Sequence, residues 1–322
     1  MATRLPILPQ LLARKIYKTG QTRGADDDVI FQNRVARNST VLIPYPFWDK
    51  KFLTLGFEKG FIVLISPNLY FSDKEINRKL EAEGLKLGKN LLVFYETRAQ
   101  WNKFSPEKIK WKPASSRIAP LKGQYVARIP ATTSLTEGGQ IRRGFSETSN
   151  KGAGIRVYEY ANSETIKDCR IQLEALFWLC NDAESAVAQA GMKEADIKMR
   201  REAILEEAKI RGLLDLKRLI EARVINKENK TTCPLCLEEL SGSSFMNRII
   251  QAEGREVPDL TVTEVNLFHI RELRINSLNH HPYNLGWGHH HCNVVTKDAG
   301  IVPTLNWMQE VLKRNTDAGY LR

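Results

Sequence analysis

The 322-residue chain is long enough for two separate cores, and its 42% hydrophobic and 26% charged residues match a globular protein. No apolar run approaches the roughly 18 residues of a bilayer-crossing helix, and Pro6 and Pro9 break the opening stretch (MATRLPILPQLLARK). Neither a membrane span nor a signal peptide is therefore expected, and a cytoplasmic location follows. The formal net charge is +11 and unevenly placed: residues 226–322 hold 10 Lys+Arg against 11 Asp+Glu, which leaves 38 against 26 for residues 1–225. Such a basic first part is either a solvated surface or one that gains from counterion release on a polyanion.

Residues 1–160 read as a β-rich, mixed α/β domain. Strands are expected at 40–44 (TVLIP), 51–57, 61–66 (FIVLIS), 91–96 (LLVFYE), 125–129 and 155–160, each short, apolar and bounded by Gly, Pro or Asn. One helix is expected over 73–83, after Ser72-Asp73. Asp26-Asp27-Asp28 is a carboxylate run with no ExK-bearing strand after it, and reads as a loop or capping cluster. The stretch 101–117 mixes aromatics with lysines, as either a nucleic-acid surface or a solvated edge would. Residues 131–154 are rich in Gly, Ser and Thr and form a long loop, with Arg142-Arg143 at its centre as candidate DNA contacts.

From 161 to 230 the pattern is helical and reads as a linker between domains or a dimerisation surface. Residues 164–181 are apolar enough to bury Cys169 and Cys180 as core thiols. Residues 194–224 predict one long amphipathic helix or a helical pair broken near Gly212.

The last segment, 231–322, holds all six histidines and three of the five cysteines. An odd cysteine count without a secretory signal argues against a disulfide framework. Cys233-Pro-Leu-Cys236 is a two-residue knuckle, and His289-His290-His291-Cys292 repeats the spacing 53 residues after Cys236. Two such pairs of soft or borderline donors suit a structural, tetrahedral zinc ion held by Cys233, Cys236, His289 and Cys292. His289 fits the spacing best, with His290 and His291 open as alternatives.

Between the two half-sites, 265–273 (VNLFHIREL) reads as a strand carrying His269, 276–283 (NSLNHHPY) as a turn-rich stretch, and Asn284-Leu285 as the start of a second strand. A helix bearing Cys292-Asn293 and Lys297-Asp298 follows. Hydrolysis of a phosphodiester needs an activated water and a charge stabiliser; a neutral histidine can take the proton near pH 7, and a hard cation such as Mg²⁺ can polarise the phosphate. This order resembles the HNH, or ββα-metal, endonuclease family, in which a strand histidine precedes an Asn-Leu pair and then CxxC-[HN]-x-x-K at a helix start. NLGWGHHHCNVVTKD keeps that frame, with histidine in place of the first cysteine.

The resemblance implies an α+β chain: an N-terminal DNA-recognition domain (1–160), the helical linker (161–230), and a zinc-bound ββα-metal nuclease domain (231–322). It implies His269 as general base, Asn284 as a brace for the loop that orients it, and Asn293 as a ligand of a catalytic Mg²⁺, for which Mn²⁺ could substitute. Lys297 either binds phosphate or is solvated. Phe268 departs from the pattern, since an aspartate usually stands there as a second metal ligand. His280 and His281 read as loop residues rather than ligands, and Trp287 as core.

Several segments (IYKTGQTRGADDDVIFQNR, GFIVLIS, LFHIREL, NLGWGHHHCNVV) are similar to the BstXI group of type II restriction endonucleases. That resemblance implies site-specific cleavage of double-stranded DNA by a homodimer, within a system that also holds a cognate DNA methyltransferase. A homing or mobile-element nuclease of the same chemistry is a second reading. A non-catalytic zinc-containing DNA-binding regulator is a third, though it would not need His269, Asn284 and Asn293 in register.

Overall fold

The computed structural model describes residues 5–17, 36–127, 129, 154–252, 255–256, 263–275, 277–297 and 299–321. They fall into two compact units: Gly20–Asn162, and Met1–Thr19 together with Ser163–Arg322. The opening helix α1 (Gln10–Tyr17) thus belongs with the C-terminal unit.

The inserted unit is built on β1 (Val41–Pro44), β2 (Phe61–Ile65), β3 (Leu91–Tyr95), β4 (Tyr125–Ala127) and β5 (Ile155–Arg156), in the order β4-β3-β2-β1-β5. Every pairing is parallel, with Leu42 opposite Ile62, Leu64 opposite Leu92 and Phe94 opposite Val126. The runs VLIP, FIVLI and LLVFY are apolar without alternation and almost entirely buried, which is what a parallel sheet covered on both faces requires. Parallel neighbours cannot be joined by a tight hairpin, so the chain crosses over between them. Two helices, α2 (Pro67–Tyr70) and α3 (Ile76–Ala82), lie between β2 and β3, and α4 (Arg98–Lys103) follows β3. Thr97 and Gln100 close the start of α4 with a reciprocal capping box.

This unit is therefore an α/β parallel sheet rather than β-rich. Residues 51–57 are not a strand: Asp49 accepts a hydrogen bond from the Lys51 backbone and starts a 3-10 turn over Lys50–Leu53. That turn places Phe52 and Phe57 in an aromatic cluster with Trp48, Phe61 and Tyr160. The strand expected over 155–160 ends after two residues, in a 3-10 turn at Val157–Glu159. Asp26–Asp28 and all but the last residue of the loop expected over 131–154 lie outside the described residues, and with them Arg142 and Arg143.

In the second unit, α5 (Ser163–Trp178), α6 (Ala183–Gln189), α7 (Glu194–Ile210) and α8 (Leu216–Glu221) lead to a small ladder of β6 (Ile250–Ala252) and β7 (Arg255–Glu256). The hairpin of β8 (Val265–His269) and β9 (Leu285–His289) follows, then α9 (His290–Thr296) and α10 (Ile301–Asp317). The helices over 161–230 are not a separate linker. Ten of the sixteen residues of α5 are buried, and one continuous core runs from Leu8 and Leu12 through α5 and α7 to Phe245, Phe268, Trp287 and Ile301. The physical reason is that the second half of α5, 171–178 (IQLEALFW), is largely apolar around the helix and must be covered on several sides. The break after α7 falls at Gly212, whose φ of +66° suits a residue without a Cβ, so the amphipathic stretch is a helical pair. Cys169 and Cys180 are buried free thiols, and burial pushes the Cys180 pKa up to about 12. No helix among the described residues is long and apolar enough to cross a membrane.

Polar ties fix this core. Glu174 on α5 and Arg200 on α7 form a bidentate ion pair at 2.7 and 2.9 Å, and both side chains are less than a tenth exposed. Arg200 also donates to the Pro6 carbonyl, and the buried Lys15 of α1 donates to the Val265 carbonyl, which attaches the N-terminal helix to β8. Trp287 is core, as expected, and its indole N–H donates to the Leu173 carbonyl at 2.7 Å. Removing one member of a buried pair strands the other charge. Arg200→Met is expected to destabilise the unit by about 3–5 kcal/mol, while Glu174→Leu with Arg200→Met recovers most of that loss. Urea unfolding of the single and double variants measures both.

A Cys3His cluster beside a histidine hairpin

The knuckle at 233–236 is shaped by the backbone. The Cys233 amide donates to the Glu238 carbonyl at 2.9 Å, the Leu237 amide donates back to the Cys233 carbonyl at 2.8 Å, and Leu237 takes a positive φ of 66° to complete the turn. Arg223 clamps it from outside by donating to the Pro234 carbonyl at 2.8 Å. The other half comes from the end of β9 and the start of α9, where His289 is the last strand residue and Cys292 faces inward from the first helical turn.

The Sγ atoms of Cys233, Cys236 and Cys292 and a ring nitrogen of His289 all lie within 4.8 Å of one another. His289 Nδ1 stands 3.3 Å from Cys236 Sγ. His290 is turned elsewhere: its Nδ1 meets the Asn266 side-chain amide at 3.1 Å. His291 is exposed and stacks on His289 at a centroid distance of 5.3 Å. Among the three candidates, then, the structure brings His289 to the thiols. Burial and the neighbouring thiols push the Cys292 pKa upward, and burial does the same for Cys236. Burial beside His291 lowers that of His289. Three thiols and an uncharged imidazole crowded so closely are poor neighbours as anions alone. They match the donor set of a tetrahedral zinc ion, whose charge would offset the deprotonation cost. The cluster could therefore hold zinc.

The hairpin is packed onto this cluster. Residue 268 faces inward: Phe268 is fully buried, and a Cβ on Gly288 would sit 2.6 Å from its ring and 3.4 Å from Cys233 Sγ. Strand alternation then turns the neighbouring His269 to the other face, where it ends β8 opposite Leu285. The apolar residue before the histidine is thus a packing element against the cluster. Glu272, one of the acidic residues near it in sequence, pairs with Arg274 at 2.5 Å.

The loop between the strands folds back on His269. Asn284 is buried; its Oδ1 accepts from the Arg271 backbone at 2.8 Å and its Nδ2 donates to the Asn279 carbonyl at 2.6 Å. Its backbone carbonyl accepts from Ile270 at 3.0 Å. One side chain thereby clasps both ends of the loop, and Tyr283 is tied to Gln172 of α5 through its amide at 2.8 Å. The clasp delivers His280, a residue that sequence reasoning set aside as part of a loop. It is buried, and its Nδ1 faces His269 Nε2 at 3.3 Å. Nothing in the pattern HHP separates His280 from His281, which is partly exposed and meets the Pro282 carbonyl. Asn293 is half-buried on α9, a helix packed against both strands, and its side-chain amide has no hydrogen-bond partner among the described residues. Lys297 is exposed at the end of that helix with a φ of 49°.

A family model described as BstXI restriction endonuclease matches residues 14–290. The chain belongs to the BstXI restriction endonuclease family. That match spans both units and includes the knuckle, the hairpin, the clasped loop and the first residue of α9. Among solved structures, the chain is similar to one titled "Crystal structure of a type II restriction endonuclease" at 17% identity and a TM-score of 0.28, covering 49% of this chain. The likeness spans 55% of that chain, about half its length. No curated protein matches.

If zinc fills the cluster, metal analysis of the purified protein should find about one zinc per chain, and Cys292→Ala should abolish it. The variant's melting temperature is expected to fall by about 5 °C or more, since a unit of this size loses about 2–4 °C per kcal/mol. An unchanged zinc content in Cys292→Ala would remove Cys292 from the ligand set.

Proposed function

We infer that this member of the BstXI family is a type II restriction endonuclease that hydrolyses phosphodiester bonds of double-stranded DNA at a specific site. The observation that carries the reading is the antiparallel hairpin β8–β9 running directly into α9, with His269 on the first strand, the Asn284 clasp and Asn293 on the helix. That order resembles the ββα-metal, or HNH, arrangement, and the family match supports the restriction activity.

In this reading His269 takes a proton from water, the water oxygen bonds phosphorus, and the bond to the 3′ oxygen breaks; that oxygen takes a proton from solvent water, leaving 5′-phosphate and 3′-hydroxyl ends. Asn284 keeps the 271–284 loop closed and so holds the surroundings of His269. A catalytic Mg²⁺, with Mn²⁺ as a substitute, would polarise the phosphate and stabilise the leaving oxygen. Asn293 would offer it a neutral carboxamide oxygen and, with Phe268 turned inward, DNA phosphate oxygens and water would supply the other ligands. Zinc in the Cys3His cluster would be structural, because four protein donors leave no open position. Lys297, exposed at the end of α9, is assigned to the phosphate backbone in this reading, and the sequence offers Arg142 and Arg143 as further DNA contacts.

The recognition role falls to the inserted unit, the basic part of the chain. A homodimer matches the two-fold symmetry of a palindromic site, and a cognate methyltransferase protects the host DNA. The thiols stay reduced in the cytoplasm, where such a system acts. Plasmid incubated with the protein and Mg²⁺ is expected to yield discrete fragments. His269→Ala, with zinc content and melting temperature retained, is expected to lower the cleavage rate by about 10²–10⁴-fold. Wild-type protein inactive across Mg²⁺ and Mn²⁺ would support the non-catalytic regulator instead.

A further inference from the structure

We propose that His280 is the positioning residue that holds His269 in the tautomer its chemistry needs, by accepting a hydrogen bond from His269 Nε2–H at its own Nδ1. The inference rests on the reading of His269 as the general base. It starts from the 3.3 Å separation between His269 Nε2 and His280 Nδ1 and from the near-complete burial of His280. The rings are tilted by 55° at a centroid distance of 5.6 Å, so the contact is made through nitrogen rather than by stacking.

Two facing ring nitrogens of neutral imidazoles share one proton, and the chemistry decides which carries it. If His280 donated, the proton of His269 would sit on Nδ1 and its only lone pair would point into the buried neighbour at Nε2. No nitrogen of His269 could then accept a proton from water. If His269 donates, its lone pair lies on Nδ1, on the far edge of the ring, and His280 carries its own proton on Nε2. Once His269 is protonated, both of its nitrogens are donors and the bond to His280 remains, so the base need not turn between the two states.

The scaffold is consistent with a fixed acceptor. Asn284 Nδ2 donates to the carbonyl of Asn279, the residue immediately before His280, and Asn279 Nδ2 donates to the Glu272 carbonyl at 2.5 Å. His280 is thereby placed from the same clasp that closes the loop after His269. The burial of His280, in a stretch of sequence whose next residue is partly exposed, then has a purpose that a solvated loop histidine would lack. Partners that orient a metal-bound imidazole are worth about 10–100-fold in activity when removed, and a loss of the same order is expected for an imidazole base held in one tautomer.

The test uses the full chain labelled with ¹⁵N-histidine, with ring nitrogen shifts assigned by the signal lost in His269→Ala. Support is a wild-type His269 protonated on Nε2, moved toward the Nδ1 tautomer in His280→Phe. Single-turnover cleavage should fall about 10–100-fold in that variant. His280→Asn, whose side-chain oxygen lies close to the position of Nδ1, is expected to restore both the Nε2–H tautomer and most of the rate. A merely structural role for His280 would not move the tautomer. A wild-type His269 protonated on Nδ1, or a tautomer unchanged in His280→Phe, overturns the proposal. The wild-type spectrum decides the question even if the Phe variant fails to fold. Should His269→Ala cut DNA as fast as wild type, the base reading falls, and with it the catalytic purpose of the pair, whatever the tautomer.

Discussion

Three thiols and one imidazole gathered within 4.8 Å are the constraint on which the C-terminal unit turns. The knuckle at 233–236 and the segment at 289–292 are separated by a long stretch of chain, and their convergence settles where β9 ends and where α9 begins. From that point the placement of everything nearby follows. Phe268 must face the cluster, so His269 must face away from it. The first turn of α9 must carry Cys292 inward, which sets where Asn293 stands one residue later. Packing on one side of the hairpin thus fixes the geometry available for chemistry on the other.

Beneath the hairpin, the helical segment acts as a floor. Trp287 inserts from β9 into this floor, meeting Phe245 edge-on at 5.0 Å and bonding the backbone of α5. Gln172 reaches from α5 to the Tyr283 amide, and Lys15 from α1 to β8. A site of this kind needs supporting residues that are themselves locked, and here each support is buried and bonded to backbone. The arrangement also explains why the first helix of the chain belongs to the last unit: α1 caps the same core before the chain leaves for the parallel sheet and returns at α5.

Much of the site was legible because its chemistry is carried by local spacing. Paired donors two residues apart, repeated at a distance, have few explanations besides a metal, and Asn284-Leu285 before a second strand places that residue beside the end of the first. The fold was less legible. The uninterrupted apolar runs at 41–44, 61–65 and 91–95 were visible as strands, and their lack of alternation is the mark of a sheet covered on both faces. Residues 51–57 misled because Leu53, Leu55 and Phe57 alternate as a strand would. Asp49 capping a backbone amide outweighs that pattern.

What the amino-acid order determined by itself was the inventory: which residues could bind a soft metal, and which imidazole stands on a strand before the Asn-Leu pair. These depend on spacing, and spacing survives without coordinates. The tertiary structure brought His289 to the thiols and His290 to Asn266, and drew the 161–230 helices into the core. It also buried His280 against His269. Each of those outcomes depends on which surfaces meet across long stretches of chain, and adjacent histidines become different only when packing turns one toward a partner and another toward water.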